Sequence, residues 1–375
     1  MDLHRTCARA HITFYKHVMI FRSLFALLFL FSAATLSATS IFDRLSDVQP
    51  DAPLPVTLTL PVDSLLVQRP SVQHAAFGYH DQEGLLKNWS VKVSPRGKFR
   101  RHKCDHAPLK IDFPKKELRA AGLADHDKYK LVTACFHGTA SDRLVRKEYL
   151  AYRAYQLFTP TSYRVRLLDV TYRDANGNHP DRKAAAFLIE NTGELAARRM
   201  AERVDIAVGL PAENFDPTAE ATHALFQYLI GNTDWSNTLA QNMKTLKRPD
   251  GSLLPVGYDF DFSGWVKTSY SRPRTQLGQH SVAHRVYLGF HQPDHVLNAT
   301  AELFLDKKEA LMALIGNAPV HRADRRYLLR YTAGFYNELE KIQDRNIMMI
   351  YQNLRGDERE LVPLEAMPED FAVME

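Results

Sequence analysis

Apolar and polar residues alternate along much of the first half of this chain, and recur at three- and four-residue spacing along much of the second. Alternation marks half-buried strands, and the longer period marks amphipathic helices. A polar linker from residue 41 leads into a strand, "PVTLTLPV". Residues 88–136 read as further strands. "NWSVKVSPRGKFRRHK" turns back at Pro95-Arg96-Gly97, "APLKIDF" sets Leu109, Ile111 and Phe113 against Lys110 and Asp112, and "KYKLVTACF" follows. A helix over "RLVRKEYLAYRAYQLF" is capped by Ser141 or Asp142. Two strands, "SYRVRLLDVTYRD" and "KAAAFLIE", flank the turn "ANGNHPD". From Glu194 onward the spacing predicts helices at 194–203, 217–231, 301–315 and 322–354. The chain is therefore expected to be α+β, with a strand-rich part over 41–190 and a helix-rich part over 191–375.

One interruption of the helical half carries the candidate chemistry. Residues 231–264 read "GNTDWSNTLAQNMKTLKRPDGSLLPVGYDFDFSG". Pro249-Asp250-Gly251 is a turn signal, so the stretch is a predicted hairpin. Continued alternation along its second strand would put Val256, Tyr258, Phe260 and Phe262 on one face, and Asp259 and Asp261 on the other. Asp234, Asn237 and Asn242 precede the turn. Carboxylate and amide oxygens gathered in this way suit Mg²⁺ or Mn²⁺. Asn242, with Asn237 as the other amide candidate, Asp259 and Asp261 are the expected metal ligands. Asp234 is placed to accept a proton from a substrate hydroxyl.

Three more residues join this set. Glu148 shares a helical face with Leu144, Tyr152 and Tyr155, where an unpaired carboxylate is costly. Lys130 shares a strand face with Val132, Ala134 and Phe136. A Lys130–Glu148 pair would hold an ammonium beside a phosphate, or it would be a plain structural ion pair. Glu190 closes "AAAFLIEN" at the junction of the two halves, where it either meets a nucleotide base or lies in solvent. His280, His284, His291 and His295 make two H-x-x-x-H pairs, but no H-E-x-x-H motif or cysteine accompanies them, so zinc is disfavoured.

Charge adds little. The chain has 48 basic and 43 acidic residues, a net +5. Residues 1–38 hold four of the basic residues and one acidic residue, so the remainder is +2. That is too small to suggest nucleic acid as a partner. Leu24–Phe31 is an uncharged apolar run preceded by Arg22 and followed by "SAATLSATS", the layout of a secretory leader over 1–40, with translation expected to start at Met19. Its removal, after Ser37 or Ser40, would leave no stable membrane span; an uncleaved anchor is the alternative. The expected location is the periplasm or the extracellular space. Cys104 and Cys135 would there either join two neighbouring strands as a disulfide or stay as buried thiols.

"GNTDW…N…DGSLLPVGYDFDFSG", with "RGKFRR", "PLKIDF", "RKEYLAYRAYQLF" and "AAFLIEN", resembles the CotH-like family of secreted atypical protein kinases over residues 55–300. The resemblance implies a two-lobed, divergent protein-kinase-like fold and ATP as the nucleotide. It implies Asp234 as the catalytic Asp, Asn242 and Asp259 as metal ligands, Lys130 and Glu148 as the ion pair, and Glu190 at the hinge. The expected activity is transfer of the ATP γ-phosphate to a hydroxyl of a protein or cell-envelope glycan. The alternative is a non-catalytic envelope protein that binds a phosphorylated or polyanionic ligand.

Overall fold

The computed structural model describes residues 39–50, 52–63, 71–105 and 107–343. The expected leader and the Met19 start fall on residues outside that range, except that Thr39 and Ser40 lie within it. The α+β class is as expected, but the two-lobed kinase-like arrangement is not what forms. Seven strands close into a barrel: β1 (Leu54–Leu60), β2 (Gln73–His80), β3 (Leu86–Pro95), β4 (Leu109–Asp112), β5 (Lys128–Thr133), β6 (Val165–Asp174) and β7 (Arg182–Ile189). Their order around the wall is β1-β2-β3-β4-β5-β7-β6. Closure comes from β1 pairing in parallel with β6 along its length, from Leu54↔Leu168 to Leu60↔Asp174. That pairing removes the edges an open sheet would keep. Alternation identified most of these strands and their faces, but it carries no information on which strand the first one pairs with.

Odd-numbered positions of β5 and even-numbered positions of β1 and β7 point into the barrel, so Leu58, Phe77, Val91, Ile111, Leu131 and Leu188 form its core. The expected linker at 41 is instead a helix, α1 (Ile41–Asp47), whose Ile41, Phe42 and Leu45 plug one barrel end. A capping box starts it: the Asp43 N–H donates to Ser40 Oγ (3.0 Å), and the Ser40 N–H donates to Asp43 Oδ2 (2.9 Å). Seven residues are too few for a helical period to stand out. Beyond the turn at Pro95–Gly97 the chain forms a short helix, α2 (Lys98–Lys103), where a strand was expected. A further short helix, α3 (Lys115–Ala120), joins β4 to β5.

Helix α4 (Thr139–Phe158) lies against the outer wall of β6 and β7. After β7 comes a short helix, α5 (Thr192–Arg198), and the far side of α4 meets the later helices α6 (Pro217–Ile230), α7 (Asp294–Asp306), α8 (Lys308–Asn317) and α9 (Arg322–Gln343). The single helix expected at 301–315 is split between α7 and α8, and that expected at 194–203 ends early and gives way to β8 (Glu202–Val204). One apolar core runs from Val132 and Phe187 on the barrel wall, through Tyr152 and Phe158, to Phe226 and Phe335. The barrel and the helical half are thus joined by shared packing, not by a hinge between lobes. Among the described residues, no helix is long and apolar enough to cross a membrane.

Cys104 and Cys135 form a disulfide with their Cα atoms 4.6 Å apart. It ties the end of α2 to the chain just after β5, so the expected pairing holds but one partner is a helix end. The bridge spans a sequence separation of 31. Loop-entropy reasoning gives it about 3–4 kcal/mol of stability. Cys135→Ser should lower the unfolding free energy in denaturant titrations by about that amount, and Cys104→Ser combined with it should cost little more.

Candidate functional site

The expected hairpin is present as β9 (Met243–Lys247) and β10 (Leu253–Gly257), with β8 pairing on the far side of β9. The strand period ends earlier than the alternation of residues suggests. The Tyr258 N–H donates to the Asn242 carbonyl (3.0 Å) as the last rung. Asp259 then adopts φ +65°, and Asn242 opposite has φ +50°. Both are non-glycine residues in the left-handed region, a conformation that persists only where its surroundings hold it. The holding contacts are visible. Tyr152 Oη accepts the Asp259 N–H (2.8 Å). Phe260, fully buried, packs on Tyr152 and Phe226 at ring separations of 4.6 and 5.7 Å. Phe260 is thus an anchor with an acid on each side, and Asp259 and Asp261 do not share a strand face.

Asp259 has no side-chain hydrogen bond or ion pair among the described residues. Asp261 is buried and accepts from Tyr270 Oη (2.7 Å). Glu148 on α4 is 3 % exposed, and its Oε1 has no hydrogen-bond partner. Glu148, Asp261, Arg100 and Tyr270 line one small cavity with about 10 Å³ of room for the centre of a water-sized sphere, enough for about one water or ion. Burial raises the Glu148 carboxyl well above the usual range, and the charges of Asp261 and Asp259 add to it. Asp261 is raised by burial and by Asp259. Among the described residues, no three His, Cys, Asp or Glu side chains converge tightly enough to form a metal cage by themselves.

Cations face these acids. Lys130 does lie on the β5 face turned toward α4, as expected, but it makes no salt bridge to Glu148. Its Nζ sits 4.1 Å from the centre of the Tyr258 ring, and Lys244 Nζ is 5.9 Å from the same ring. Burial, with repulsion from Arg96 and Lys244, brings Lys130 down to about 7, against the pull of Asp259. Arg100 donates from Nη2 to the Thr133 carbonyl (2.6 Å), and against the cost of burial its charge is favoured by Tyr270, Asp261, Glu148 and Asp259. Among charged groups it is Asp259, not Glu148, that favours the Lys130 ammonium.

Asp234 is held by its own loop. Gln241 Nε2 donates to Oδ1 (2.7 Å), Asn242 Nδ2 donates to Oδ2 (2.8 Å) and to the Asp234 carbonyl (2.7 Å), and Arg274 Nη2 lies 3.2 Å from Oδ1. Burial raises the Asp234 carboxyl, with a further push from Asp259, while Arg274 and Asn242 oppose this. Asn237 Nδ2 donates to buried Glu220 (2.9 Å), while its Oδ1 is buried without a hydrogen-bond partner. Glu190 is neither in solvent nor open to a ligand. Arg164 Nε (2.7 Å) and Arg198 Nε (2.9 Å) donate to its Oε1, and Arg198 Nη2 (2.9 Å) and the Arg164 N–H (3.0 Å) donate to Oε2. The hairpin and α4 therefore bring together Asp234, Asn242, Asp259, Asp261, Glu148 and Lys130, and leave Glu190 in a structural ion cluster. Arg96, Arg100, Tyr152, Lys244, Tyr258, Tyr270 and Arg274 complete the site. From sequence, the basic run "RGKFRR" hinted at Arg96 and Arg100, and Tyr152 and Tyr258 stood out only as apolar-face neighbours of the acids.

The raised carboxyls make a pH prediction. From about pH 4 upward the unfolded chain releases protons that the folded Glu148 and Asp261 retain, so both groups lower stability as pH rises. Glu148→Gln removes one of them. With divalent cations chelated, the stability of Glu148→Gln relative to wild type should rise with pH in urea titrations between pH 4 and 8; a difference independent of pH would contradict the assignment.

No protein-family model matches this sequence, and no curated protein matches it either.

Proposed function

We propose that the cleft between α4, β5 and the hairpin binds a phosphate-bearing ligand together with Mg²⁺ or Mn²⁺, and transfers a phosphoryl group to a hydroxyl. The observation that carries this reading is Asp259, an unpaired carboxylate held in a left-handed conformation, whose charge acts both on an orphaned buried acid, Glu148, and on a half-buried amine, Lys130. Mg²⁺ keeps several waters and is commonly held by one or two carboxylates plus the substrate phosphates. The absence of a three-ligand cage among the described residues is compatible with that mode. Asp259 and Asp261 would each offer one oxygen to the ion, with Asn242 contributing the amide oxygen that its bonds to Asp234 leave unused, and Glu148 would face it from the small cavity it shares with Asp261. The ion would neutralise phosphate charge in the transition state.

Lys130, poised near neutrality at pH 7 when the site is empty of anions, would take up a proton as a phosphate arrives and steady it. Arg96 and Arg100 add positive charge at the same end. Asp234 would orient the acceptor hydroxyl. An ionised carboxylate offers about four acceptor positions. Gln241 and Arg274 use Oδ1 and Asn242 uses one side of Oδ2, so one position on Oδ2 remains for a hydroxyl. The hairpin's resemblance to CotH-like proteins supports this assignment of roles, with ATP as the donor and a protein or glycan hydroxyl as acceptor. The disulfide supports maturation in an oxidising compartment, which fits an exported protein.

A second reading has its own observation. The same three side-chain bonds also describe an acid committed to its own loop, which favours a non-catalytic protein that binds the phosphorylated ligand without transferring the group.

Two measurements separate these readings. With Mn²⁺, ATP should raise the melting temperature of the wild-type protein, and Asp259→Asn should abolish the metal-dependent part. Lys130→Met should weaken ATP binding roughly tenfold to a hundredfold. Asp234→Asn should leave binding in place. If the wild type transfers labelled phosphate to an acceptor hydroxyl and Asp234→Asn does not, catalysis stands. Binding without transfer in either protein favours the second reading, and no binding of ATP or Mn²⁺ by the folded wild type rejects both.

A further inference from the structure

Among the described residues, no helix crosses the barrel end opposite α1. There residues at the ends of β3, β5 and β6, at the starts of β4 and β7, and just beyond β1 line a cavity of about 360 Å³, within the range of small-molecule sites. Its wall is mainly apolar, from Val62, Pro95, Leu109 and Pro180 among others. Two polar groups at this mouth lack matching partners. Tyr172 and Arg182 are cross-strand neighbours on β6 and β7, at positions continuing the inward-facing rows Leu168–Val170 and Ala186–Leu188. Tyr172 Oη is buried without a hydrogen-bond partner. Arg182 makes no salt bridge among the described residues. Its guanidinium lies 5.8 Å from the Tyr172 ring centre, and its hydrogen bond is a long one to the Phe136 carbonyl (3.5 Å). Of the acids nearby, Asp181 pairs with Arg173 (2.8 Å), Asp63 pairs with His179 (2.6 Å), and Asp142 accepts the Ala185 N–H (3.0 Å). Burial disfavours the Arg182 charge more than Asp142 and Asp105 favour it from a distance, and neither acid forms a salt bridge with it. The mouth therefore offers an apolar cup with a guanidinium that has no salt-bridge partner among the described residues and a spare hydroxyl donor.

We propose that this cup binds a small amphipathic anion, an apolar chain or ring carrying a carboxylate, with Arg182 pairing the carboxylate and Tyr172 Oη donating to it. Planar bidentate pairing with a carboxylate is what a guanidinium does best. Burying the apolar part in the cup supplies the rest of the affinity. The proposal is independent of the phosphoryl-transfer reading, since it uses none of the residues placed in that site.

Calorimetry on the full chain with decanoate, decanol and a decyl ammonium cation as probes tests it. Decanoate should bind the wild type, and Arg182→Met should weaken it roughly tenfold or more while leaving decanol unchanged. Arg182→Lys should retain more affinity than Arg182→Met, which distinguishes a lost charge from a damaged fold. Tyr172→Phe should weaken decanoate by a smaller factor. Ala107→Phe, which fills the cup, should block decanoate and decanol alike. The proposal falls if the folded wild type does not bind decanoate, if Arg182→Met binds it equally, or if the ammonium probe binds as well as the carboxylate.

Discussion

Tyr152 is the residue through which the barrel, the central helix and the candidate site are held together. Its ring packs on Phe187 of the barrel wall at 5.4 Å and on Phe260 of the hairpin exit at 4.6 Å. Its hydroxyl accepts the N–H of Asp259. One buried side chain on α4 thus touches both layers and also stabilises the left-handed residue that ends the hairpin. Aromatic rings suit this role because they bury a large apolar area while keeping one polar atom for a directed bond. Around it, Lys147 on the same helix donates to the Val266 carbonyl, and Trp265 Nε1 donates back to the Lys147 carbonyl (3.1 Å). The segment bearing Asp259 and Asp261 is thereby fixed to α4 at both ends.

The site built on that frame stores electrostatic conflict. Asp259, Asp261, Glu148 and Asp234 each feel at least one other acid of the group, and burial raises the carboxyls of Glu148, Asp261 and Asp234. Lys130 is pushed the other way, toward its neutral form. In each case burial disfavours the charged form, and the like charges nearby add to it. A structural ion cluster looks different. At Glu190, two arginines supply four hydrogen bonds to one carboxylate, and no acceptor is left over. The contrast between a fully matched cluster and an unmatched one is the main physical reason to place function at the hairpin.

The barrel carries a similar contrast at its two ends. One end is filled by Ile41, Phe42 and Leu45, with Arg164 and Arg166 binding the plugging segment from outside: Arg164 to Asp43 (2.8 Å), and Arg166 to the Val48 carbonyl (2.5 Å). Ser40 Oγ also donates to the buried Glu194 (2.6 Å), so the residue at the edge of the expected leader is part of the folded body. Among the described residues, the other end leaves the Tyr172 hydroxyl unmatched beside a cavity of about 360 Å³.

Much of this was legible in the sequence. Period-two alternation found six of the seven barrel strands, turn chemistry found the hairpin, and an even count of cysteines beyond the leader suggested the disulfide. The acids and amides at both ends of the hairpin, and the inward-facing Lys130 and Glu148, also announced themselves through local pattern, because an ionisable residue on an apolar face stands out against its neighbours. Other features depended on contacts between distant segments. The closing of β1 on β6, the plug formed by α1, the turning apart of Asp259 and Asp261 around Phe260, and the capture of Glu190 by Arg164 and Arg198 are of this kind. Local periodicity records which face of an element is buried. It does not record which element does the burying, and that choice decided which acids were matched and which were left free to act.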